Sequence, residues 1–407
     1  MPRIQSLTLF DLPGEEAYSL NADRVAELSH SVTVGDGARV FAFPGFCDVH
    51  VHFREPGFSY KETMHTGSLA AAHGGYTAVC AMPNLSPVPE DAQTLDQEQR
   101  LIDRDAVVDV YPYGAITRGQ KGQALADLAG MAPGAIAFSD DGHGVQDGDM
   151  MRRAMLEARR LGKVIAAHCE VNDLLFGGVI HRGAWARAHG FDGICSESEW
   201  KMIERDLKLA AETGCAYHVC HISCKESVQL IREAKQSGVD VTCETAPHYL
   251  LLTEDDLIDE GRFKMNPPLR AREDRNALLQ GLADGTIDMI ATDHAPHSAQ
   301  EKAKGLRGSA FGIVGLETAF PLLYTYLVEK GVLTLEKLIH LLAVAPRKRF
   351  GIPFDGSFSL WRLDVDEPID PDRFLSMGRA TPFAGWPVHA RCLATKARGD
   401  KLIFAEE

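Results

Sequence analysis

The sequence predicts an α/β fold, a (β/α)8 TIM-like barrel with a small β-domain built from the two ends of the chain. Short strand-like apolar runs alternate with helix-like segments through the middle of the chain. Histidines and aspartates stand where several of these strand-like runs end. The 407 residues suffice for a barrel of this kind with an appendage. We therefore expect the barrel over residues 44–352, and the small β-domain from residues 1–43 together with 353–407.

Eight strand candidates and the helices between them account for the predicted barrel. The strands are predicted at 46–52, 76–82, 107–113, 135–139, 163–168, 216–221, 240–245 and 287–292. Helical patterns are predicted at 61–73, 148–161, 198–213, 224–237 and 272–283, with two more at 315–329 and 334–343. An open doubly wound sheet is the structural alternative. Its dinucleotide-binding version is disfavoured, because no G-x-G-x-x-G follows the first strand.

The two ends of the chain differ in composition from the middle. Residues 1–43 carry short apolar segments around Pro13-Gly14 and Gly35-Asp36-Gly37. Residues 353–407 are rich in proline, glycine and β-forming residues. We expect strands from both ends to pair beside the barrel.

Composition and charge disfavour several kinds of partner and location. The chain carries 57 acidic against 42 basic residues, a formal net charge of −15, so neither nucleic acid nor an anionic membrane is an expected partner. No apolar run reaches the roughly 18 residues of a transmembrane helix, and the N-terminus lacks the pattern of a secretory signal. The nine cysteines are scattered and odd in number, which predicts reduced thiols and a cytoplasmic protein.

The first strand ends in the motif Asp48-Val49-His50-Val51-His52. Residues two apart in a strand point to the same side, so His50 and His52 share a face. Two imidazoles on one side of a rigid strand can bind a transition metal such as zinc. Two polar residues on a solvated face are the alternative for this motif taken alone.

Other strand candidates end in the same residue types. Asp140-Asp141 follows the fourth strand, His168 the fifth, His221 the sixth and Asp293 the eighth. Catalytic residues of such barrels lie at the C-terminal ends of the strands. These side chains should therefore converge with the two histidines of the first strand on one rim, which random placement of 16 histidines would seldom achieve.

These motifs resemble the amidohydrolase superfamily and, within it, the type I bacterial dihydroorotases. The similar stretches are DVHVHFREPG (48–57), GGYTAVCAMPN (74–84), FSDDG (138–142), AAHCE (166–170), YHVCHIS (217–223), KMNPPLR (264–270), ATDHAPH (291–297) and FGIVGLETAFPLLYT (311–325). They run from about residue 43 to 350, whereas the first 40 residues match no motif of the family.

The resemblance implies a zinc site with two ions. It implies these metal ligands: His50, His52, Asp141, His168, His221 and Asp293. The first two histidines would bind the more buried ion and the other two the second ion. Asp141 would bridge the ions, and Asp293 would be both a ligand and the proton shuttle.

The fourth strand departs from the pattern of many superfamily members, which bridge their metals with a carboxylated lysine there. This chain has Asp140-Asp141 instead, which fits type I dihydroorotases and counts against hydantoinase-like relatives. We take Asp141 as the ligand, because the family's ligand directly precedes the glycine, and Asp140 as a turn residue. Aspartate has a shorter arm than carboxylated lysine, so the number of bound ions stays open between one and two.

The resemblance also implies a pocket for an anionic cyclic substrate. The implied substrate contacts are His52, Arg54, Asn84, Asn266, His297, Phe311 and Gly312. Arg54, Asn84 and His297 would hold a carboxylate, because arginine offers a bidentate fork. The others would contact the ring, Phe311 and Gly312 through their backbones. The polar segment 298–309, which we name the lid segment, is predicted to be a mobile surface loop.

Several further residues near the rim receive no assigned role. Glu244 and His248, on strand seven, could border the pocket, and Glu170 could orient a ligand or cap the next helix. His218 and the nearby cysteines do not match the spacing of a separate zinc site, so we interpret them as residues of the barrel wall.

The activity implied by the resemblance is that of a zinc-dependent dihydroorotase. This activity is the reversible cyclisation of N-carbamoyl-L-aspartate to L-dihydroorotate in de novo pyrimidine (UMP) biosynthesis, with a metal-bridging hydroxide as nucleophile and Asp293 as proton shuttle. The alternatives are another cyclic amidohydrolase of the allantoinase or hydantoinase type, or an inactive dihydroorotase-like scaffold for aspartate carbamoyltransferase. The family suggests a homodimer, and association with aspartate carbamoyltransferase is a further expectation.

Overall fold

The computed structural model describes residues 6–10, 12–29, 32, 39–398 and 402–404. The strands are β1 (Ser6–Leu9), β2 (Arg39–Pro44), β3 (Phe46–Val51), β4 (Tyr76–Ala81), β5 (Asp109–Pro112), β6 (Ile165–Ala167), β7 (Ile180–His181), β8 (Gly193–Ile194), β9 (Tyr217–Val219), β10 (Val241–Thr245), β11 (Met289–Ile290), β12 (Phe358–Arg362), β13 (Glu367–Pro368), β14 (Pro387–Val388), β15 (Arg391–Lys396) and β16 (Leu402–Phe404). The predicted turn at Gly35-Asp36-Gly37 lies outside the described residues, as do the other positions of the two ends that fall between or beyond these ranges.

The helices surround the parallel strands. They are α1 (Ala22–Ser29), α2 (Met64–His73), α3 (Ala92–Asp105), α4 (Leu128–Met131), α5 (Gly148–Arg160), α6 (Ala184–His189), α7 (Glu197–Thr213), α8 (Lys225–Gln236), α9 (Pro247–Leu251), α10 (Arg272–Asp284), α11 (Ala299–Lys302), α12 (Gly305–Gly308), α13 (Ala319–Leu323), α14 (Leu335–Ile339) and α15 (Ala345–Phe350). Single π-helical turns follow α13 and α14, at Tyr324–Val328 and His340–Val344. The five predicted helical patterns between 61 and 283 correspond to α2, α5, α7, α8 and α10. In the described part of the chain, none of these helices is long and apolar enough to cross a lipid bilayer.

The parallel strands close into a ring. One arc has the order β3-β4-β5 and the other the order β6-β9-β10-β11. Phe138 joins the arcs on one side through parallel bridges to Gly114 and Ile165, and Val51 joins them on the other through a bridge to His294. The predicted fourth strand is irregular: residues 136–139 hydrogen-bond to both neighbouring strands, but only Phe138 forms bridges, in a segment between Pro133-Gly134 and the turn at Asp140.

The interior of the ring is a packed core rather than a channel. All strand positions of the barrel except β10 contribute to one buried cluster: Cys47, Val49, Ala78, Cys80, Met82, Tyr113, Ala137, Ala166, Cys220, Met289 and Ala291. Small side chains dominate because eight strands leave little room on the axis. This core supports the residues at the C-terminal ends of the strands from below.

Strands from both ends of the chain pair in one five-stranded sheet of order β1-β2-β12-β15-β16. Its strand β2 leads straight into barrel strand β3 through Gly45, where a side chain is impossible because a Cβ would lie 2.2 Å from Thr77 Oγ1. The sequence predicted this pairing of the two ends. Whether the sheet is an independent domain stays a prediction.

The lid segment, predicted as a mobile surface loop, contains secondary structure of its own. It contains the short helices α11 and α12. Lys302 is buried within it, and its Nζ donates to the carbonyl oxygens of Lys264, Ala310 and Gly312 at 3.0, 2.7 and 2.6 Å. An ammonium group has three donors, and all of them are satisfied here, which orders the segment.

Candidate active site

The six side chains predicted as metal ligands lie together at the C-terminal rim of the barrel, and we name them the ligand cluster. His52 Nε2 is 3.1 Å from Asp293 Oδ1. His50 Nε2 and His221 Nε2 lie 3.3 and 3.6 Å from Asp141 Oδ1. The fourth imidazole, His168, places Nδ1 3.0 Å from His221 Nε2. None of the six residues is more than 6% exposed.

A β-bulge sets the direction of the first two histidines. The register of β3 against β4 shifts between Asp48 and Val51, so one extra residue is accommodated just before the strand ends. The buried carboxylate of Asp48 holds this bulge, because it accepts hydrogen bonds from His50 N at 2.9 Å and from Thr292 N at 3.0 Å. Asp48 thus ties the first strand to the eighth directly beneath the ligand cluster.

Unusual backbone conformations coincide with the site. Among the described residues only five non-glycine residues have a positive φ, and three of them are Arg54 (62°), His221 (33°) and Asp293 (49°). Such a conformation costs a side-chain-bearing residue on the order of 1–3 kcal/mol and is found mainly at functional sites. This clustering supports a functional role independently of the side-chain chemistry.

The orientation of His50 and His52 is fixed from behind. His50 Nδ1 donates to Glu244 Oε1 at 2.6 Å, and His52 Nδ1 donates to Asn84 Oδ1 at 2.8 Å. Each ring therefore turns its Nε2 toward the carboxylates of the ligand cluster. A nitrogen lone pair that faces a carboxylate is repelled unless a cation or a proton lies between them.

The pKa shifts of the buried groups show how charge is distributed in the ligand cluster. Burial alone would raise the pKa of Asp141, but the neighbouring histidines, His50 foremost, hold it well below its usual range. Burial lowers the pKa of His52. Burial would also lower the pKa of His50, but Glu244 and Asp141 raise it well above its usual value. Asp141 is thus ionised at neutral pH, and its negative charge is stabilised by positive charge beside it, either on these histidines or on a bound cation.

Orphaned polar atoms test whether a metal ion fits this site. His50 Nε2, Asp141 Oδ1, His168 Nε2 and His221 Nδ1 are buried without a hydrogen-bond partner. Buried polar atoms seldom lack partners, and imidazole nitrogens with carboxylate oxygens are the donors that zinc prefers. The ligand atoms of two groups, one of His50, His52 and Asp293 and one of His50, Asp141 and His221, lie within 4.8 Å of one another. The residues present therefore fit a divalent cation.

The two aspartates of the fourth strand have separate places. Asp140 turns away from the histidines, and its Oδ1 accepts hydrogen bonds from Ile116 N at 2.8 Å and Thr117 N at 3.0 Å. Asp141 alone faces the histidines. Asp140 thus lies outside the ligand cluster, and its role as a turn residue stays a prediction.

The residues predicted to hold a carboxylate border the ligand cluster. Arg54 is 8% exposed, and its Nη2 is 3.4 Å from His297 Nε2. Asn84 uses its oxygen on His52, which leaves its amide NH2 as a donor. His297 Nε2 donates to Phe311 O at 2.8 Å. Burial, with Arg54 and Lys61 nearby, lowers the pKa of His297 to about 3, so its ring is neutral.

The residues predicted to contact a substrate ring are engaged with the protein. Asn266 Nδ2 donates to Glu170 Oε1 at 2.7 Å, and Glu170 Oε2 lies 3.6 Å from His168 Nε2. Gly312 N donates to Lys264 O at 3.0 Å. Phe311 is 36% exposed. The structure therefore places these groups on the rim, Asn266 beside His168 and the Phe311–Gly312 backbone beside His297.

Sequence reasoning assigned no role to three residues that support the site. Glu244 contacts His50, and Asp48 holds the β3 bulge. Lys61 Nζ lies 3.2 Å from His297 Nδ1 and 3.0 Å from Glu301 Oε1. Asp48 and Glu244 are ionisable residues within apolar strands, and that pattern is the signal that could have found them.

Known structures define the class of protein. The chain is similar to the L-hydantoinase (dihydropyrimidinase) from Arthrobacter aurescens, with a TM-score of 0.82 and 25% identity over 99% of this chain and 96% of that one. It also resembles the dihydropyrimidinase from Brevibacillus agri NCHU1002 in fold, with a TM-score of 0.77 and 20% identity over 92% and 87% of the two chains. With the ligand cluster at its rim, the molecule is a TIM-barrel enzyme of the amidohydrolase class, whose members are generally metal-dependent.

Sequence relatives define the family within that class. The profile of the Dihydro-orotase-like family matches residues 39–227. The dihydroorotase of Shouchella clausii (strain KSM-K16) is 52% identical over 381 residues, which cover 91% of this chain and 89% of that protein. The dihydroorotase of Bacillus cytotoxicus is 50% identical over 373 residues, or 89% and 87% of the two chains. The chain belongs to the dihydroorotase family of the amidohydrolase superfamily.

Proposed function

We propose that this chain interconverts N-carbamoyl-L-aspartate and L-dihydroorotate in pyrimidine biosynthesis. The observation that carries the proposal is the buried cation of Arg54 directly beside the ligand cluster. Both compounds carry a carboxylate, and an enzyme that binds a neutral ring has no use for a buried guanidinium there. The dihydroorotases that are about half identical over most of the chain support the same reaction.

The substrate carboxylate binds Arg54 and Asn84 in this proposal. The guanidinium is held by Pro296 O, which accepts from Arg54 Nε at 3.3 Å. The amide NH2 of Asn84 adds a donor, because its oxygen is already occupied by His52. His297 lies beside Arg54 and borders the same pocket. Fixing the carboxylate orients the amide over the ligand cluster, and orientation supplies much of the rate.

The ligand cluster would hold one or two zinc ions. His50, His52 and Asp293 would hold one ion, His168 and His221 the other, and Asp141 would lie between them. A divalent cation at this place supplies Lewis acidity toward the amide carbonyl and toward water.

Asp293 moves the proton. Burial alone would raise its pKa, but the hydrogen bond with His52 and the charge of His50 lower it below its usual value, so it is a carboxylate at neutral pH. In the hydrolytic direction Asp293 accepts the proton of the attacking water and delivers it to the leaving amide nitrogen. Cyclisation runs the same transfers in reverse.

Further assignments extend this proposal. The chain is of type I, because Asp141 stands where hydantoinase-like relatives have a lysine. The terminal sheet is a small domain beside the barrel. The enzyme works in the cytoplasm as a homodimer, and it associates with aspartate carbamoyltransferase. The dimer and the association rest on the family resemblance alone.

Hydrolysis of dihydroorotate by the purified chain, with zinc measured on the same sample, tests the proposal. Turnover with about two zinc ions per chain would support the whole proposal. Turnover with one zinc ion per chain would support the proposed reaction but contradict a second bound ion. Faster turnover of the neutral dihydrouracil or hydantoin than of dihydroorotate would overturn the substrate assignment. No turnover in a folded, zinc-loaded sample would favour the inactive scaffold.

A further inference from the structure

We propose that Glu244 is the positioning residue that aligns both halves of the ligand cluster. The inference rests on the metal site of the proposed function. Glu244 lies on β10, a strand that contributes no predicted ligand, and it is 1% exposed. One carboxylate there contacts a ligand of each predicted ion.

Three donors converge on this carboxylate. Oε1 accepts from His50 Nδ1 at 2.6 Å and from the backbone N of His221 at 3.2 Å. Oε2 lies 3.2 Å from Nε2 of His218. A buried carboxylate needs several donors to be tolerated, and this one has them from neighbouring parts of the barrel wall.

For His50 the contact decides which nitrogen faces the ligand cluster. With its Nδ1 proton donated to Glu244, the ring presents Nε2 toward Asp141 and Asp293, at 3.3 and 3.6 Å from their Oδ1 atoms. A carboxylate behind a ligating imidazole also makes that imidazole a stronger donor to a metal ion. Without Glu244 the ring is free to rotate or to change tautomer.

For His221 the contact holds the backbone. This residue has a φ of 33°, a conformation that a residue with a side chain rarely adopts. The hydrogen bond from its N–H to Glu244 stabilises that conformation, which directs the imidazole toward Asp141. Because His50 serves one predicted ion and His221 the other, loss of Glu244 weakens the binding of both.

His218 has a role in the same arrangement. It is fully buried, and its Nδ1 lies 2.8 Å from Thr242 Oγ1. When the threonine hydroxyl donates to Nδ1, His218 Nε2–H donates to Glu244 and fixes the carboxylate. This assignment explains a buried histidine that is too far behind the cluster to be a ligand.

Zinc affinity of the metal-free protein tests the inference without recourse to activity. Glu244→Gln keeps the shape but loses the charge, and Glu244→Ala loses both. Asp206→Asn is the matched control, because Asp206 is fully buried and bonds Arg205 and Tyr217 but no residue of the ligand cluster. Zinc is titrated against a chromophoric chelator, and the cobalt-loaded proteins are compared by visible absorption.

We expect the two Glu244 variants to bind zinc about 10- to 100-fold more weakly, with an altered cobalt spectrum, while the control stays within about twofold of the wild type. Unchanged affinity and spectrum in Glu244→Gln, folded by circular dichroism, would overturn the inference even if Glu244→Ala does not fold. Equal loss in Asp206→Asn would also overturn it, since any buried carboxylate would then do the same. The wild type could also fail to turn over dihydroorotate while the Glu244 variants still bind zinc more weakly than it does. That result would refute the proposed function and leave this inference standing.

Discussion

Replacement of Arg54 by methionine tests the buried cation on which the substrate assignment rests. Methionine keeps much of the length and apolar contact of the arginine stem and removes the guanidinium. The backbone is not a complication, because both residues must adopt the same φ of 62°. Arg54 also makes no hydrogen bond to a residue of the ligand cluster, so the metal site should survive.

The size of the effect follows from the contact that is lost. A hydrogen bond to a charged group contributes about 1.5–3 kcal/mol, and a guanidinium–carboxylate pair makes up to two of them. A loss of about 3 kcal/mol corresponds to roughly a 100-fold rise in the apparent KM for dihydroorotate. Neutral dihydrouracil has no carboxylate, so its kinetic constants should change by less than about threefold.

The stability of the variant sharpens the test. In the wild type the Arg54 guanidinium is buried beside Pro296 O and His297, with no carboxylate within ion-pair distance among the described residues. A buried cation without a counter-ion costs stability, so Arg54→Met should unfold at a temperature no lower than that of the wild type. Unchanged KM for dihydroorotate, or an equal loss on both substrates, would refute the assignment of Arg54 to the carboxylate.

Other substitutions test separate parts of the structure. Asp293→Ala should lower kcat by at least about 100-fold with the fold intact, and near-normal kcat would remove its role as proton shuttle. Lys61→Met should raise the KM for dihydroorotate several-fold with little change in kcat, because Lys61 orients His297; an equal fall in kcat at constant KM would contradict this. Glu98 is buried with neither carboxylate oxygen bonded, and burial raises its pKa well above the usual value. The folded state therefore binds its proton more tightly than the unfolded state, so stability is lost as the pH rises above about 4.3. In urea unfolding, the free energy of unfolding of Glu98→Gln should rise relative to that of the wild type between pH 5 and 8. A difference in this free energy that does not change with pH would refute the explanation.

The convergence of the six residues of the ligand cluster could be predicted from the sequence because the relevant pattern is local, whereas their role as ligands stays a prediction. Each predicted ligand stands at the end of a strand-like run, and parallel strands place such ends on one rim. His50 and His52 needed only the two-residue period of a strand. The structure adds that a bulge at Asp48–Val51 aims them, and a bulge leaves no mark in the pattern of apolar residues.

Interactions between distant residues could not be read from the sequence. Glu244 and His50 are 194 positions apart, so nothing local connects them. The fourth strand was predicted over 135–139, and residues 136–139 do hydrogen-bond to both neighbouring strands, but the irregular pattern that leaves bridges only at Phe138 could not be foreseen. The helices of the lid segment escaped prediction because their stability comes from Lys302 reaching carbonyls outside the segment.

The bridge between Val51 and His294 has a consequence for the order of events during synthesis. It joins the first and last strands of the barrel, and Asp293, a member of the ligand cluster, precedes it by one residue. Strand β2 leads into the first barrel strand, and it pairs with β12, which lies at residues 358–362. A ribosome must therefore release nearly nine-tenths of the chain before these parts can meet. Until then the first barrel strand lacks its neighbour on one side, and a nascent chain interrupted earlier leaves that strand as an open edge.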